Sequence, residues 1–306
     1  MKKKVTIIGA GLVGSTTAYS LLSKDILEEV ALIDINESML EAEVMDLQHS
    51  VPFWGYTNVK RGSYDDIKDS KIAIIACGTS QKEGETRLDL IKNNKDIIDE
   101  VVDRIFEINS DIILLMLTNP VDILTYQAIK RYPDKRDQII GSGTILDSAR
   151  FRFLLSQELE VSPQSIHAYI VGEHGDSELP LWSTATIGNV SLDEFINLSR
   201  EKKRNIFEKA KNAAYSIIAG KRATYYAISA GATQIVEAIL FNKKRVLPLS
   251  HDPQGSCGVE EIALSLPIVI GKSGIEKRFD LNISRTEKEL LKQSEKNLKD
   301  VFRSAN

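Results

Sequence analysis

Over residues 5 to 143, short apolar runs rich in β-branched residues alternate with longer amphipathic ones: VTIIGA, LVGSTTAYSLLSK, EVALIDI, ESMLEAEVMDLQ, KIAIIACG, DIILLML, VDILTYQAIKRY and QIIGSG. The short runs are apolar on both faces, as in strands covered on both sides. Such strands separated by helical segments predict a parallel sheet wrapped by helices, because parallel neighbours need a long crossover between them. This alternation limits the fold more than any composition figure does: the first half is a doubly wound α/β unit. After residue 143 the pattern changes to a helix (ILDSARFRFLLSQEL), a strand (SIHAYIV), helical stretches over 193–219 and 222–241, and apolar strands such as IALSLPIVIG. The second half therefore reads as α+β with antiparallel sheet, and the boundary falls near 142, giving units 1–142 and 143–306. The closing TEKELLKQSEKNLKDVFRS is an amphipathic helix, with Thr286 and Glu289 as its capping box. No repeat or low-complexity linker separates the halves.

A chain of 306 residues exceeds one ordinary core. With 42% hydrophobic and 27% charged residues it belongs with soluble globular proteins. The formal charge of -4 and the lack of a long basic run give no reason to expect nucleic acid as a partner. No segment approaches the ~18 apolar residues of a membrane span, so a soluble, cytoplasmic protein is expected. The opening MKKKVTIIGAGLVG begins basic and then apolar, as a signal peptide does. Its apolar run is short and broken by three glycines, so it reads as a strand and a turn. Cys77 and Cys257 fit neither a disulfide framework nor a zinc pattern and are expected as buried, inert thiols in a reducing compartment.

Gly9, Gly11 and Gly14 form G-x-G-x-x-G between a predicted strand and a predicted helix. Alone, the triplet could mark a structural turn. Asp34, 20 residues past Gly14 at the end of the second strand, turns it into a dinucleotide fingerprint, since a carboxylate there accepts from ribose hydroxyls. The charge of Asp34 would repel a 2′-phosphate, so the cofactor reads as NAD, not NADP. The run TNP at 118–120 follows another strand, where open α/β sheets bind ligands. Asn119 there is either a ligand to the nicotinamide ribose or substrate, or part of an Asn-Pro turn, and the two are compatible. A cis bond before Pro120 is open on sequence grounds, although only a minority of such bonds are cis.

The stretch VGEHGDSELP holds His174 among Glu173, Asp176 and Glu178. A proton carrier, a metal ligand and an ordinary loop histidine all fit these ten residues. The metal reading fails elsewhere: the four histidines, His49, His167, His174 and His251, share no paired ligand spacing, so no metal is expected.

The motifs GAGLVG, QKEGETRLDL, TNPVDIL, GSGTILDSARFR and VGEHGDSELPLWS, in this order and along nearly the whole chain, resemble the L-lactate and malate dehydrogenase family, and in detail its bacterial L-lactate dehydrogenases. The resemblance implies an N-terminal Rossmann domain for NAD and a C-terminal α+β substrate domain. It groups Gly9, Gly11, Val13, Gly14, Asp34, Gly78, Thr79, Asn119 and Ser142 with the cofactor. It makes His174 the proton donor and acceptor, Asp147 the carboxylate that orients it, Arg150 the clamp on the substrate carboxylate, and Arg87 the group that polarises the reacting carbonyl. Elementary chemistry agrees: reducing a 2-keto acid needs a proton near neutral pH, which histidine supplies, and the planar guanidinium matches a carboxylate. Each of the four taken singly could be a loop, helix-end or surface residue, and all four together would require four coincidences.

The polar segment GTSQKEGET at 78–86 reads as a loop whose closure would bring Arg87 to the carbonyl. Gln81 in it stands where lactate dehydrogenases have glutamine and malate dehydrogenases arginine, so a second substrate carboxylate meets no cation. Val236 is aligned with a pocket threonine, which suggests a more apolar pocket and a keto acid longer than pyruvate, with Thr233 one turn away as a replacement hydroxyl. Arg152 and His167 match the residues that bind fructose 1,6-bisphosphate in activated bacterial enzymes, or else are an exposed arginine and a strand histidine. A homotetramer is implied as well. The first expectation is thus interconversion of pyruvate and NADH with L-lactate and NAD. Bulkier L-2-hydroxy acids come next, malate third, and a non-catalytic NAD-binding module last.

Overall fold

The computed structural model describes residues 3–79 and 87–305, with the side chains of 87–90 left out. The alternating first half becomes β1 (Lys4–Ile8), α1 (Leu12–Leu22), β2 (Glu29–Ile33), α2 (Glu37–Ser50), β3 (Asn58–Arg61), β4 (Ile72–Ile75), α3 (Arg87–Ile108), β5 (Ile113–Met116), α4 (Val121–Arg131) and β6 (Ile139–Gly141). Strands β1 to β6 are all parallel, in the order β3-β2-β1-β4-β5-β6. The direction of winding reverses between β1 and β4, which opens a crevice at their carboxyl ends. Both faces of this sheet are buried, as its non-alternating apolar strands require: Ile7, Leu32 and Ile74 enter one cluster, Ile8, Ile75 and Leu114 the other.

The second half begins with α5 (Ile145–Leu159) and four two-residue strands, β7 (Ile166–His167), β8 (Ile170–Val171), β9 (Leu179–Pro180) and β10 (Thr186–Ile187), followed by β11 (Val190–Ser191). Then come α6 (Leu192–Phe195), α7 (Arg200–Lys221), α8 (Tyr226–Leu240), β12 (Arg245–His251), β13 (Leu264–Gly271), β14 (Gly274–Lys277) and α9 (Arg285–Ala305). The run SIHAYIV is two strands and not one, and the helix read over 193–219 is split, because Ser191 and Ser199 each cap a separate helix start. The antiparallel strands β12, β13 and β14 do not form a sheet of their own. They extend the parallel sheet beyond β6 into nine strands, joined through Ser250 opposite Gly141.

Two further expectations change. The capping box of α9 is Ser284 with Glu287, not Thr286 with Glu289: Ser284 Oγ accepts from the Glu287 N–H at 3.3 Å and Glu287 Oε2 accepts from the Ser284 N–H at 2.8 Å. The same spacing occurs twice in the sequence, and the first is selected because Glu287 also accepts from the Ser183 N–H at 3.0 Å. The two cysteines are only half-buried. Burial still pushes the Cys77 thiol up to about 11 and raises that of Cys257, so both remain protonated at neutral pH.

Candidate active site

The residues grouped with the cofactor gather at one edge of the sheet. Gly9 and Gly11 occupy the turn from β1 into α1, Val13 and Gly14 the first turn of α1, Asp34 follows β2, Gly78 and Thr79 follow β4, Asn119 follows β5, and Ser142 follows β6. The glycines are required for different reasons. Gly9 has φ +102, and a Cβ there would meet the Cys77 amide nitrogen at 2.5 Å; a Cβ on Gly14 would meet the Gly9 carbonyl oxygen at 1.8 Å. A Cβ on Gly11 would meet nothing within 4 Å, so the middle position faces open space at the start of α1. No side chain caps that helix and no acidic residue lies in its first turn. Its free N–H groups and positive dipole end suit a pyrophosphate. Asp34 is held by the Ala10 N–H at 2.7 Å and the Asn36 N–H at 2.9 Å, which fixes its carboxylate beside this turn. The residues present therefore fit a dinucleotide.

A residue with no role in the sequence reading ties this edge together. Asn94 is completely buried on α3. Its Oδ1 accepts from the Thr79 N–H at 2.7 Å, and its Nδ2 donates to the carbonyls of Thr79 at 3.2 Å and Asn119 at 3.1 Å. The signal was present: Asn94 interrupts the stripe Ile91, Ile98, Val101, Ile105 that α3 turns toward the core, and a polar group on such a stripe needs partners. The Asn119–Pro120 bond is cis.

His174 lies in the turn between β8 and β9, fixed from three sides. Its backbone N–H donates to Asp122 Oδ2 at 2.7 Å, at the start of α4 just beyond Asn119. The preceding residue, Glu173, donates its N–H to Ser294 of α9 at 2.8 Å. On the third side, Thr144 and Ser148 in and before the first turn of α5 bond to Ile170 of β8. That stitching sets Asp147 against the imidazole: His174 Nδ1 and Asp147 Oδ2 are 2.6 Å apart, with 25% of the histidine side chain and 3% of the aspartate exposed. The other oxygen of Asp147 accepts from Arg150 Nη1 at 3.0 Å. Arg150 Nη2 is buried and has no partner among the described residues, so one edge of the guanidinium remains available.

Burial by itself would strip His174 of its proton. The charge and hydrogen bond of Asp147, with Asp122 and Glu178 behind it, outweigh that and raise the imidazole to about 9. Asp147 is held below the usual carboxylate range: burial opposes ionisation, but His174 and Arg150 overcome it. Asp147, His174 and Glu178 bring ligand atoms within 4.8 Å of one another, a spacing an ion could share. The guanidinium already paired with Asp147 disfavours a dication there.

Other expected residues fall apart from this cluster or outside it. Gln81 lies outside the described residues; Arg87 begins α3, but its side chain lies outside them as well. Val236 is 0% exposed and belongs to the core cluster of Ile235, Leu249 and Ile268, between α8 and the sheet. Residues 232, 235, 236 and 239 of α8 form its buried face, whereas its approach to α5 is at its N-terminal end, where Gly231 faces Ile145. Thr233 bonds Ser20 and the Ser229 carbonyl, so it offers no hydroxyl to a substrate. Arg152 is half-buried; burial and the like charge of Arg245 lower its pKa while Tyr169 opposes this. His167 is exposed on β7, and no hydrogen bond joins it to Arg152 among the described residues.

The model of the lactate/malate dehydrogenase NAD binding domain matches residues 3–141, and that of the family's alpha/beta C-terminal domain matches 144–306. The chain belongs to the lactate/malate dehydrogenase family. The cofactor of this lactate/malate dehydrogenase family member is NAD, bound by its first half. Its relatives include the L-lactate dehydrogenase of Acetivibrio thermocellus, 43% identical over 99% of this chain and 97% of that protein. That of Thermoanaerobacter pseudethanolicus is 42% identical over 98% of both. Among solved structures, the minor L-lactate dehydrogenase of Enterococcus mundtii in a ligands-bound form superposes with a TM-score of 0.96 at 37% identity, covering 100% of this chain and 99% of that one.

Proposed function

We propose that the protein is an NAD-dependent L-lactate dehydrogenase that interconverts pyruvate and NADH with L-lactate and NAD. The observation that carries this reading is the cluster of His174, Asp147 and Arg150 at the cofactor edge of the sheet. When bound, the nicotinamide would give the hydride as NADH and take it as NAD. Because Asp147 occupies Nδ1, the Nε2 of His174 is the nitrogen that gives a proton to the keto oxygen in reduction and takes it back from the hydroxyl in oxidation. The free edge of Arg150 receives the substrate carboxylate in a bidentate pair. By resemblance, Arg87 polarises the carbonyl and Gln81 faces the substrate's far end, where it offers no cation to a second carboxylate. Val236 belongs to the core and gives no support to a longer keto acid.

NADH consumption with pyruvate, oxaloacetate and 2-ketoisocaproate tests this reading. The highest kcat/KM is expected with pyruvate; a preference for oxaloacetate would overturn the role of Gln81, and no turnover with any of the three would favour a binding module. Repeating the pyruvate assay with fructose 1,6-bisphosphate tests an effector site at Arg152 and His167. That site is supported by the like charge of Arg245 near half-buried Arg152, since two neighbouring cations favour an anion between them. Self-association into a homotetramer is supported by exposed Tyr19, Met45, Phe53 and Trp54 around α1 and α2. Among the described residues no helix is long and apolar enough to cross a membrane, and a cytoplasmic enzyme divided near residue 142 completes the proposal.

A further inference from the structure

Glu178 is assigned no step of the reaction above, yet it is packed against the groups that perform it. It is 7% exposed, and its Oε1 is buried without a hydrogen-bond partner among the described residues. Its carboxylate lies within 4.8 Å of ligand atoms of both His174 and Asp147. Among the described residues the charged groups facing it are Asp147 and Arg150 from α5, His174 from its own loop and Lys211 from α7; His174 also faces Asp122 from α4. Nearby Glu173 is bonded to Ser177, and Lys211 donates to the Asp176 carbonyl at 2.8 Å. An ionised carboxylate with an unmatched oxygen beside a second carboxylate is costly in such a place, and the neutral acid is not.

We propose that Glu178 is a positioning residue of the reaction, a carboxyl that carries a proton at neutral pH and whose ionisation tightens the hold of His174 on its own proton. Burial and the neighbouring charge of Asp147 place the Glu178 carboxyl at about 8, within the range where His174 also titrates. The two groups therefore lose their protons as a coupled pair. Once Glu178 is ionised, the imidazolium gains a second anion. Reduction, which needs protonated His174, then persists to higher pH, and oxidation, which needs the neutral imidazole, is held back. The link rests on His174 as the proton carrier.

Diethyl pyrocarbonate acylates neutral imidazole, and peptide mass spectrometry on the NADH-bound full chain separates His174 from the other three histidines. Its pH midpoint at His174 is expected to fall by about one unit in Glu178→Gln, about tenfold in rate at a given pH on the rising limb. The acid limb of lactate oxidation should move the same way, and Glu178→Asp, which restores a titrating carboxyl, should move both back toward the wild type. An unchanged midpoint in Glu178→Gln overturns the proposal. Should that variant fail to fold, the wild-type curve decides, since a single-site titration of His174 would equally overturn coupling to a second group. The acylation midpoint does not depend on turnover, so failure of this link is distinguishable from failure of His174 as proton carrier.

Discussion

Asp147 does two jobs with two oxygens, one on His174 Nδ1 and one on Arg150 Nη1. Both depend on its charge surviving burial. Replacing it by asparagine keeps the shape and removes the charge that raises His174. The sign follows from that cause: a lowered imidazole pKa moves the alkaline limit of pyruvate reduction, which needs the protonated ring, to lower pH. Asp147→Asn is expected to show this shift together with a loss of kcat of about two orders of magnitude or more, measured as NADH consumption across pH. An unmoved alkaline limb would assign the raised imidazole to another group. At this scale the sequence is only partly legible. His174 and Asp147 stand 27 residues apart with no spacing rule to join them, so their pairing rests on resemblance until β8 is stitched to α5. Asp122 was in view within TNPVDIL without a role, because its partner is a backbone amide that no pattern announces.

Among the elements, the alternation of apolar runs locates β1, β2, β4, β5 and β6, because strands buried on both faces leave an uninterrupted signal, and misses the edge strand β3, whose four residues NVKR are mostly polar and only one of which is buried. Boundaries set by single side chains are less legible. The sequence carries two S/T-x-x-E spacings at the start of α9, and only tertiary contact with Ser183 selects Ser284 and Glu287. Ser284→Ala is therefore expected to cost about 1 kcal/mol in urea unfolding, whereas Thr286→Ala, inside the first turn, should cost only a few tenths. The reverse ranking would restore Thr286 as the cap. Two-residue strands such as β7 and β8 likewise lack the length over which alternation becomes visible.

At the scale of the whole molecule, the shared nine-stranded sheet is the least legible feature, since β12 meets β6 across more than a hundred residues of sequence. One hydrophobic cluster consequently runs from Val5 and Leu32 of the first half to Ile235, Val236 and Ile268 of the second. This is why a residue aligned with a pocket wall turns out to be part of the core. Val236→Ala should lower unfolding stability by about 2 kcal/mol with the KM for pyruvate unchanged; altered keto-acid preference without loss of stability would return Val236 to the pocket. Our assignment for this assembled edge is a proton-transferring histidine, His174, beside bound NAD. It is tested most directly by measuring pyruvate reduction and NADH binding on the same His174→Asn preparation. Turnover is expected to fall roughly 10²- to 10⁴-fold with NADH affinity essentially retained. Turnover close to wild type would contradict the assignment.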